Sequence, residues 1–276
     1  MPRPGASREG TPLIVGLGNP GREYAATRHN LGWLALDELC SHASIPGGFK
    51  KKFQGEFAKG TIGDRECIFL RPETYMNESG RSVQGAIAFF HAAPRDVIVL
   101  HDELDLPFGE VRVKLGGGHA GHNGLRSLIR DLGTPDFVRV RMGVGRPPPT
   151  WQGEVADFLL SAFSTDERAN VPDIVTRGVA AVRKILSDGL ERAMNEINTR
   201  PKRPSGTGSA GSGGSEDGKQ AAAAPLDSPT ARHGAVRLLA PGHSSLGPLS
   251  TGRSHITWQR HKRRTSAPEN TRPSTF

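Results

Sequence analysis

The chain is short of cysteine and tyrosine, with two of each in 276 residues, and it has no long apolar run. Cys40 and Cys67 make neither a disulfide framework nor a CxxC metal pair, so structural thiols in a reducing compartment are expected. Apolar pieces such as Val97-Ile98-Val99-Leu100 are strand-sized. A membrane-spanning helix needs roughly 18 apolar residues, so none is expected. Residues 1–12 are rich in Pro, Gly and Arg and lead only into Leu13-Ile14-Val15. They lack the apolar stretch of about 7–15 residues that marks a secretory signal, and a cytoplasmic protein is expected.

What the chain has in excess is positive charge, 36 Lys+Arg against 28 Asp+Glu, a formal +8. Such a balance suggests a polyanionic partner, provided the charge belongs to the folded part. It does not. Residues 199–276 hold 12 Lys+Arg and 4 Asp+Glu, the whole +8, while residues 1–198 hold 24 of each. The same stretch contains 10 Gly, 8 Pro and 11 Ser but only 8 Leu, Ile, Val and Phe in 78 positions. That is too little apolar surface to offset ordering, so a disordered basic tail is expected at 199–276, and a flexible extension at 1–11. Nucleic-acid binding by the body has to rest on local clustering of cations.

Between these ends the pattern alternates strand and helix. Strands are expected at 12–17, 56–62, 66–70, 96–100, 111–115 and 137–144. Helices are expected at 31–39, 80–91, 123–132 (opened by a capping Asn123) and 164–196, the last running around Pro172. Such alternation predicts one α/β domain, 12–198, with a mixed, mostly parallel twisted sheet flanked by helices.

Gly16-Leu-Gly18-Asn-Pro-Gly21 is a literal GxGxxG after a strand. A dinucleotide fold also needs an acidic residue ending the next strand about 20 residues on. Asp37 and Glu38, the only acids at that distance, lie in a helical pattern, so a nucleotide-dependent oxidoreductase is disfavoured. The glycines instead let the chain turn tightly at a strand's carboxyl end.

Four segments concentrate polar residues past strands or at helix starts: Asn19-Pro20-Gly21 with Thr27-Arg-His-Asn30, Glu73-Thr-Tyr-Met-Asn77, His101-Asp-Glu-Leu-Asp105, and Gly116-Gly-Gly-His-Ala-Gly-His-Asn-Gly124. One His, one Asp and several Asn brought to one crevice suit base-catalysed hydrolysis of an acyl bond. A neutral imidazole takes a proton from water, a carboxylate orients it, and amides hold a carbonyl. A zinc site of His101, His119 and His122 competes, but these come from loops without a helical i, i+4 pair or nearby Cys. No metal and no cofactor is expected. The glycines at 116–118 suggest a segment able to open and close over the crevice.

With these motifs in order, Leu-Ile-Val-Gly-Leu-Gly-Asn-Pro-Gly-Arg-Glu-Tyr, Thr-Arg-His-Asn-Leu-Gly, Tyr-Met-Asn-Glu-Ser-Gly, His-Asp-Glu-Leu-Asp-Leu-Pro-Phe-Gly and Gly-Gly-Gly-His-Ala-Gly-His-Asn-Gly-Leu, the chain resembles the bacterial peptidyl-tRNA hydrolase family over residues 12–198. The resemblance implies hydrolysis of the ester joining a peptide to the 3′ ribose of tRNA in peptidyl-tRNAs dropped from ribosomes. It implies His29 as general base, Asp102 as its carboxylate partner, and Asn19 as the residue separating blocked peptidyl groups from free aminoacyl ones. Tyr24, Tyr75, Met76, Asn77 and Asn123 match substrate-binding positions. Lys114 and Arg141 match a clamp for the tRNA 5′ phosphate, and Arg112 shares a strand face with Lys114. The partner implied is peptidyl-tRNA, bound by a monomer with no membrane. The alternative is a non-catalytic RNA-binding module on the same scaffold, which the presence of base, carboxylate and amides argues against. The tail lies outside the resemblance, so no function transfers to it.

Overall fold

The computed structural model describes residues 10–199. The expected tail, apart from Thr199, and all but the last two residues of the N-terminal extension lie outside the described residues.

Seven strands form one sheet: β1 (Leu13–Gly16), β2 (Lys50–Lys52), β3 (Gly55–Ile62), β4 (Arg65–Pro72), β5 (Val97–Glu103), β6 (Val111–Leu115) and β7 (Val138–Gly143), in the order β2-β3-β4-β1-β5-β7-β6. Only the four central strands, β4-β1-β5-β7, are mutually parallel. Both margins are antiparallel: the β3–β4 hairpin with β2 added outside it, and β6 against β7. The sheet is thus mixed, as expected from sequence, with a parallel centre and antiparallel margins. The reason is local, since the turn at Gly63-Asp64 (Gly63 φ +57) is too short for the crossover a parallel pair needs.

Helices α1 (Leu31–Ser41) and α5 (Thr165–Asp188) cover one face, and α2 (Ser79–Phe90) and α3 (Asn123–Leu132) the other. The period-2 alternation of β5 divides its apolar residues between the layers. Ile98 and Leu100 pack with Leu36, Leu39 and Val182, while Val97 and Val99 pack with Val83, Leu128 and Phe137. Removing one such side chain, as in Leu100→Ala, typically costs about 2–5 kcal/mol.

Three boundaries differ from the sequence expectation. Strand β5 runs on to Glu103, so His101, Asp102 and Glu103 lie within a buried strand instead of beyond it. A short helix, α4 (Val155–Leu160), follows β7. Gly189, at φ +86, breaks the last helical stretch into α5 and α6 (Leu190–Asn198), whereas Pro172 sits inside α5 without ending it. Lys50-Lys-Lys52 forms a short exposed edge strand, where charge discourages further strand pairing.

The connections place the functional crevice. β1 pairs with β4 on one side and β5 on the other, so the chain reverses direction at the carboxyl ends of these strands, where α/β sheets open a cleft. Gly32 lets α1 start against those ends. A Cβ there would lie 2.3 Å from the carbonyl oxygen of Leu100 and 2.5 Å from that of Leu17.

Candidate active site

His29 sits in the 3-10 turn Arg28–Asn30 that feeds α1, and its ring reaches β5. His29 Nδ1 lies 2.9 Å from Asp102 Oδ1, with the residues 5% and 1% exposed. A second imidazole meets the same oxygen, His122 Nε2 at 3.1 Å. The partners fix both tautomers. His122 precedes α3 and its Nδ1 accepts the backbone N–H groups of Gly124 (3.0 Å) and Leu125 (3.3 Å), so the proton is on Nε2 and is donated to Asp102. His29 likewise donates from Nδ1, which leaves its Nε2 as an unprotonated base. Asp102 Oδ2 is buried and has no partner among the described residues.

The electrostatics follow from this crowding. Burial pulls the His29 pKa down, but the charge of Asp102 and its hydrogen bond outweigh burial, and the net shift is upward from 6.5. Burial pushes Asp102 up, while His29 and His122 together hold it well below the usual carboxylate range. His101, fully buried with Nδ1 2.7 Å from the Asp102 carbonyl oxygen, is pushed down to about 3 by burial and by His122. It is a neutral structural residue.

The amides form a second group. Asn30 brackets the backbone of Asn19, its Oδ1 accepting from Asn19 N (2.8 Å) and its Nδ2 donating to Asn19 O (3.0 Å). Asn19 Oδ1 in turn accepts from Met76 N at 2.7 Å. The β1 and β4 ends are thereby joined, and the Asn19 Nδ2 donors remain for another partner. Met76 is buried; Asn77 and Tyr75 beside it are exposed, Tyr24 half-buried.

A cavity of about 330 Å³ opens over the pair. His29, Asp102, His122 and Asn123 line it on one side and Val155, Ala156 and Leu159 of α4 on the other, with Glu103, Asp105 and Arg146 as its remaining charged groups. Arg28 holds α4 there. Its guanidinium bonds the carbonyls of Phe158, Ser161 and Ala162 and pairs with Glu167 at 2.5 Å. Tyr75 lines a separate open cleft with Pro20, Lys51 and Glu73.

Several sequence-based assignments shift. The cap of α3 is His122, and Asn123, its first residue, is exposed with Oδ1 accepting from Arg126 at 2.8 Å. Propensity favours Asn at that position over His, which is why the sequence pointed to the wrong neighbour. The zinc set of His101, His119 and His122 is not assembled. Among the described residues the histidines and acids that do converge are His29, Asp102 and His122, their candidate ligand atoms within 4.8 Å, and the same atoms are occupied by hydrogen bonds to one another. Asn30 and Arg28 are site-building residues that the sequence reading left without a role, and His122 is one that it weighed only as a zinc ligand.

At the β6–β7 margin Arg112 lies opposite Arg141 and Lys114 opposite Arg139, which puts all four on one face. They differ in use. Lys114 is exposed and has no ion pair among the described residues, and Arg141 bonds Glu103 Oε2 at 2.9 Å. Arg112 is held by Glu110 and the carbonyl of Asn198 and lines a separate groove beside α5. Arg139 is buried.

The family model described as peptidyl-tRNA hydrolase matches residues 13–205. A peptidyl-tRNA hydrolase of Sorangium cellulosum is 58% identical over 190 residues, covering 69% of this chain and 85% of that protein. One from Syntrophotalea carbinolica is 47% identical over 189 residues, covering 68% and 97%. The crystal structure of peptidyl-tRNA hydrolase from Acinetobacter baumannii superposes with a TM-score of 0.64 at 37% identity, covering 70% of this chain and 97% of that one.

Proposed function

The chain belongs to the peptidyl-tRNA hydrolase family and is an enzyme that hydrolyses peptidyl-tRNA, and from that premise we propose which of its side chains carry the reaction. The observation that supports the assignment is the buried His29–Asp102 hydrogen bond at the base of an open cavity. Water held against His29 Nε2 loses its proton to the ring as its oxygen attacks the ester carbonyl. Asp102 stabilises the imidazolium that forms, and the ring returns the proton to the 3′ oxygen of the tRNA as the tetrahedral intermediate collapses. Met76 forms an apolar wall, while Asn77 and Asn123, with Tyr24 and Tyr75, grip the peptide and the ester region. The enzyme acts as a monomer in the cytoplasm.

Asn19 serves selection. With Oδ1 committed to Met76, its amide N–H groups donate to the peptide carbonyl that a free aminoacyl-tRNA lacks. Asn19→Asp keeps the bond to Met76, removes the donors and places a charge that attracts a free α-ammonium group. The preference for N-acetyl-aminoacyl-tRNA over its unblocked counterpart is expected to fall by about 10²-fold in kcat/KM. An unchanged ratio refutes the role.

Lys114 and Arg141 hold the 5′ phosphate. As the unpaired member of the two, Lys114 contributes more of the salt dependence. In Lys114→Gln, the slope of log affinity for tRNA against log salt is expected to shrink by about 1. Arg141→Gln changes it less, since Glu103 already neutralises that cation. Equal slopes in Lys114→Gln and the parent remove Lys114 from the clamp.

A further inference from the structure

Arg139 is 2% exposed and makes no ion pair among the described residues. A buried cation without a counterion is costly, and burial together with Arg141 lowers its pKa. What it holds is backbone. Nη1 donates to the carbonyl of Gly118 and Nη2 to that of Gly117, each at 2.5 Å, and the guanidinium lies 4.7 Å from the Phe137 ring centroid.

The two carbonyls belong to the loop between β6 and α3, which takes a path few sequences follow. Gly116, Gly117 and Gly121 have φ of +67, +97 and +80, and Ala120 adopts +46 despite its side chain. The loop begins where Gly116 N bonds the Phe137 carbonyl oxygen at 3.0 Å. It ends at His122, which caps α3 and donates to Asp102. The fork of Arg139 is thus the side-chain anchor between the sheet margin and the second imidazole on the catalytic carboxylate. Two of the three glycines at 116–118 thus have their carbonyls held by a side chain of the sheet.

We propose that Arg139 is a positioning residue for hydrolysis: by clamping the carbonyls of Gly117 and Gly118 it sets the loop that delivers His122 to Asp102, and so sets the alignment of the His29–Asp102 pair. This rests on the reading of His29 as the base. When the loop is released, Asp102 keeps His29 as its remaining side-chain partner, its full charge acts on that ring, and the acid limb of kcat moves to higher pH.

The test uses the full chain and N-acetyl-aminoacyl-tRNA. Arg139→Gln, checked for folding by circular dichroism and melting, is expected to lower kcat by about 10- to 100-fold, the scale of a small misplacement of reacting groups, with KM little changed. Its acid limb rises, as it does in His122→Ala. Arg139→Lys keeps a charged donor to the same carbonyls and recovers most of the loss. Gly117→Ala attacks the loop from the other side, since the residue has φ +97, which a side chain strains, and it gives the same fall in kcat. A folded Arg139→Gln enzyme with parental kcat and an unmoved limb overturns the proposal. If the glutamine variant does not fold, Gly117→Ala decides, and a folded Gly117→Ala enzyme with parental kcat overturns the proposal. His29→Ala in the same assay separates the two readings, because loss of activity there is required by the base assignment alone.

Discussion

Replacing His29 with alanine is expected to lower kcat on N-acetyl-aminoacyl-tRNA by about 10³-fold, within the range a positioned general base contributes. The fold should survive the change. Asp102 Oδ1 keeps the bond from His122, so its charge is not left without a donor, and the loss of one buried hydrogen bond costs about 1–3 kcal/mol. KM should stay near its parental value, because the ring acts on water and the other substrate contacts remain. Single-turnover release of the acetylated amino acid measures the step directly. Release at the parental rate shows that another group is the base.

The second large effect is that of Asp102→Asn, and here the geometry gives a specific magnitude. In serine-hydrolase triads the same isostere costs about 10⁴-fold, because the amide reverses the tautomer of the histidine. In this site both imidazoles donate to Oδ1, and Oδ2 has no partner among the described residues. An asparagine carbonyl placed at the Oδ1 position keeps both bonds and both tautomers, and its NH₂ takes the empty position. What disappears is the charge that stabilises the imidazolium, a loss of about 10²-fold in kcat, similar to removing one electrostatic donor from a transition state. Asp102→Ala removes the acceptor as well and costs more. A 10⁴-fold loss in Asp102→Asn, equal to that in Asp102→Ala, contradicts the shared-oxygen arrangement.

The stability that His29 draws from Asp102 has a definite sign. Its folded pKa is raised, so the contribution is complete below 6.5 and vanishes as pH rises through the folded value. Catalysis has the opposite requirement, because only the neutral ring accepts a proton. The pair therefore gives up its stabilising contribution in the pH range where the enzyme works.

Much of the molecule was legible from local signals. The unbroken apolar run of Val97 to Leu100 marked a buried strand, and the helical pattern around Asp37 and Glu38 argued against a dinucleotide fold. Each reads off a few adjacent residues. The misses share a different cause. That His122 caps α3 depends on its Nε2 finding Asp102, a residue 20 positions earlier on another element. Arg28 and Arg139 are buried because their acceptors are backbone carbonyls at 158–162 and 117–118. Nothing in residue type announces such an acceptor. Strand order was not legible for a related reason, since it follows from long-range pairing and not from period. The motifs thus placed His29, Asp102 and Asn19 in one crevice, whereas the buried arginines and the bracketing Asn30 that hold them in register became visible only with the fold.

The proposed mechanism rests on a histidine base whose proton affinity is raised by Asp102. The most direct test is the pH dependence of single-turnover cleavage of N-acetyl-aminoacyl-tRNA by the parent and by Asp102→Asn. The parent is expected to show an acid limb above 6.5. In Asp102→Asn, burial acts on His29 without the compensating charge, and the limb should fall below 6.5, so that the variant is slower on the plateau yet retains its activity to lower pH. An acid limb at the same pH in both enzymes contradicts the account.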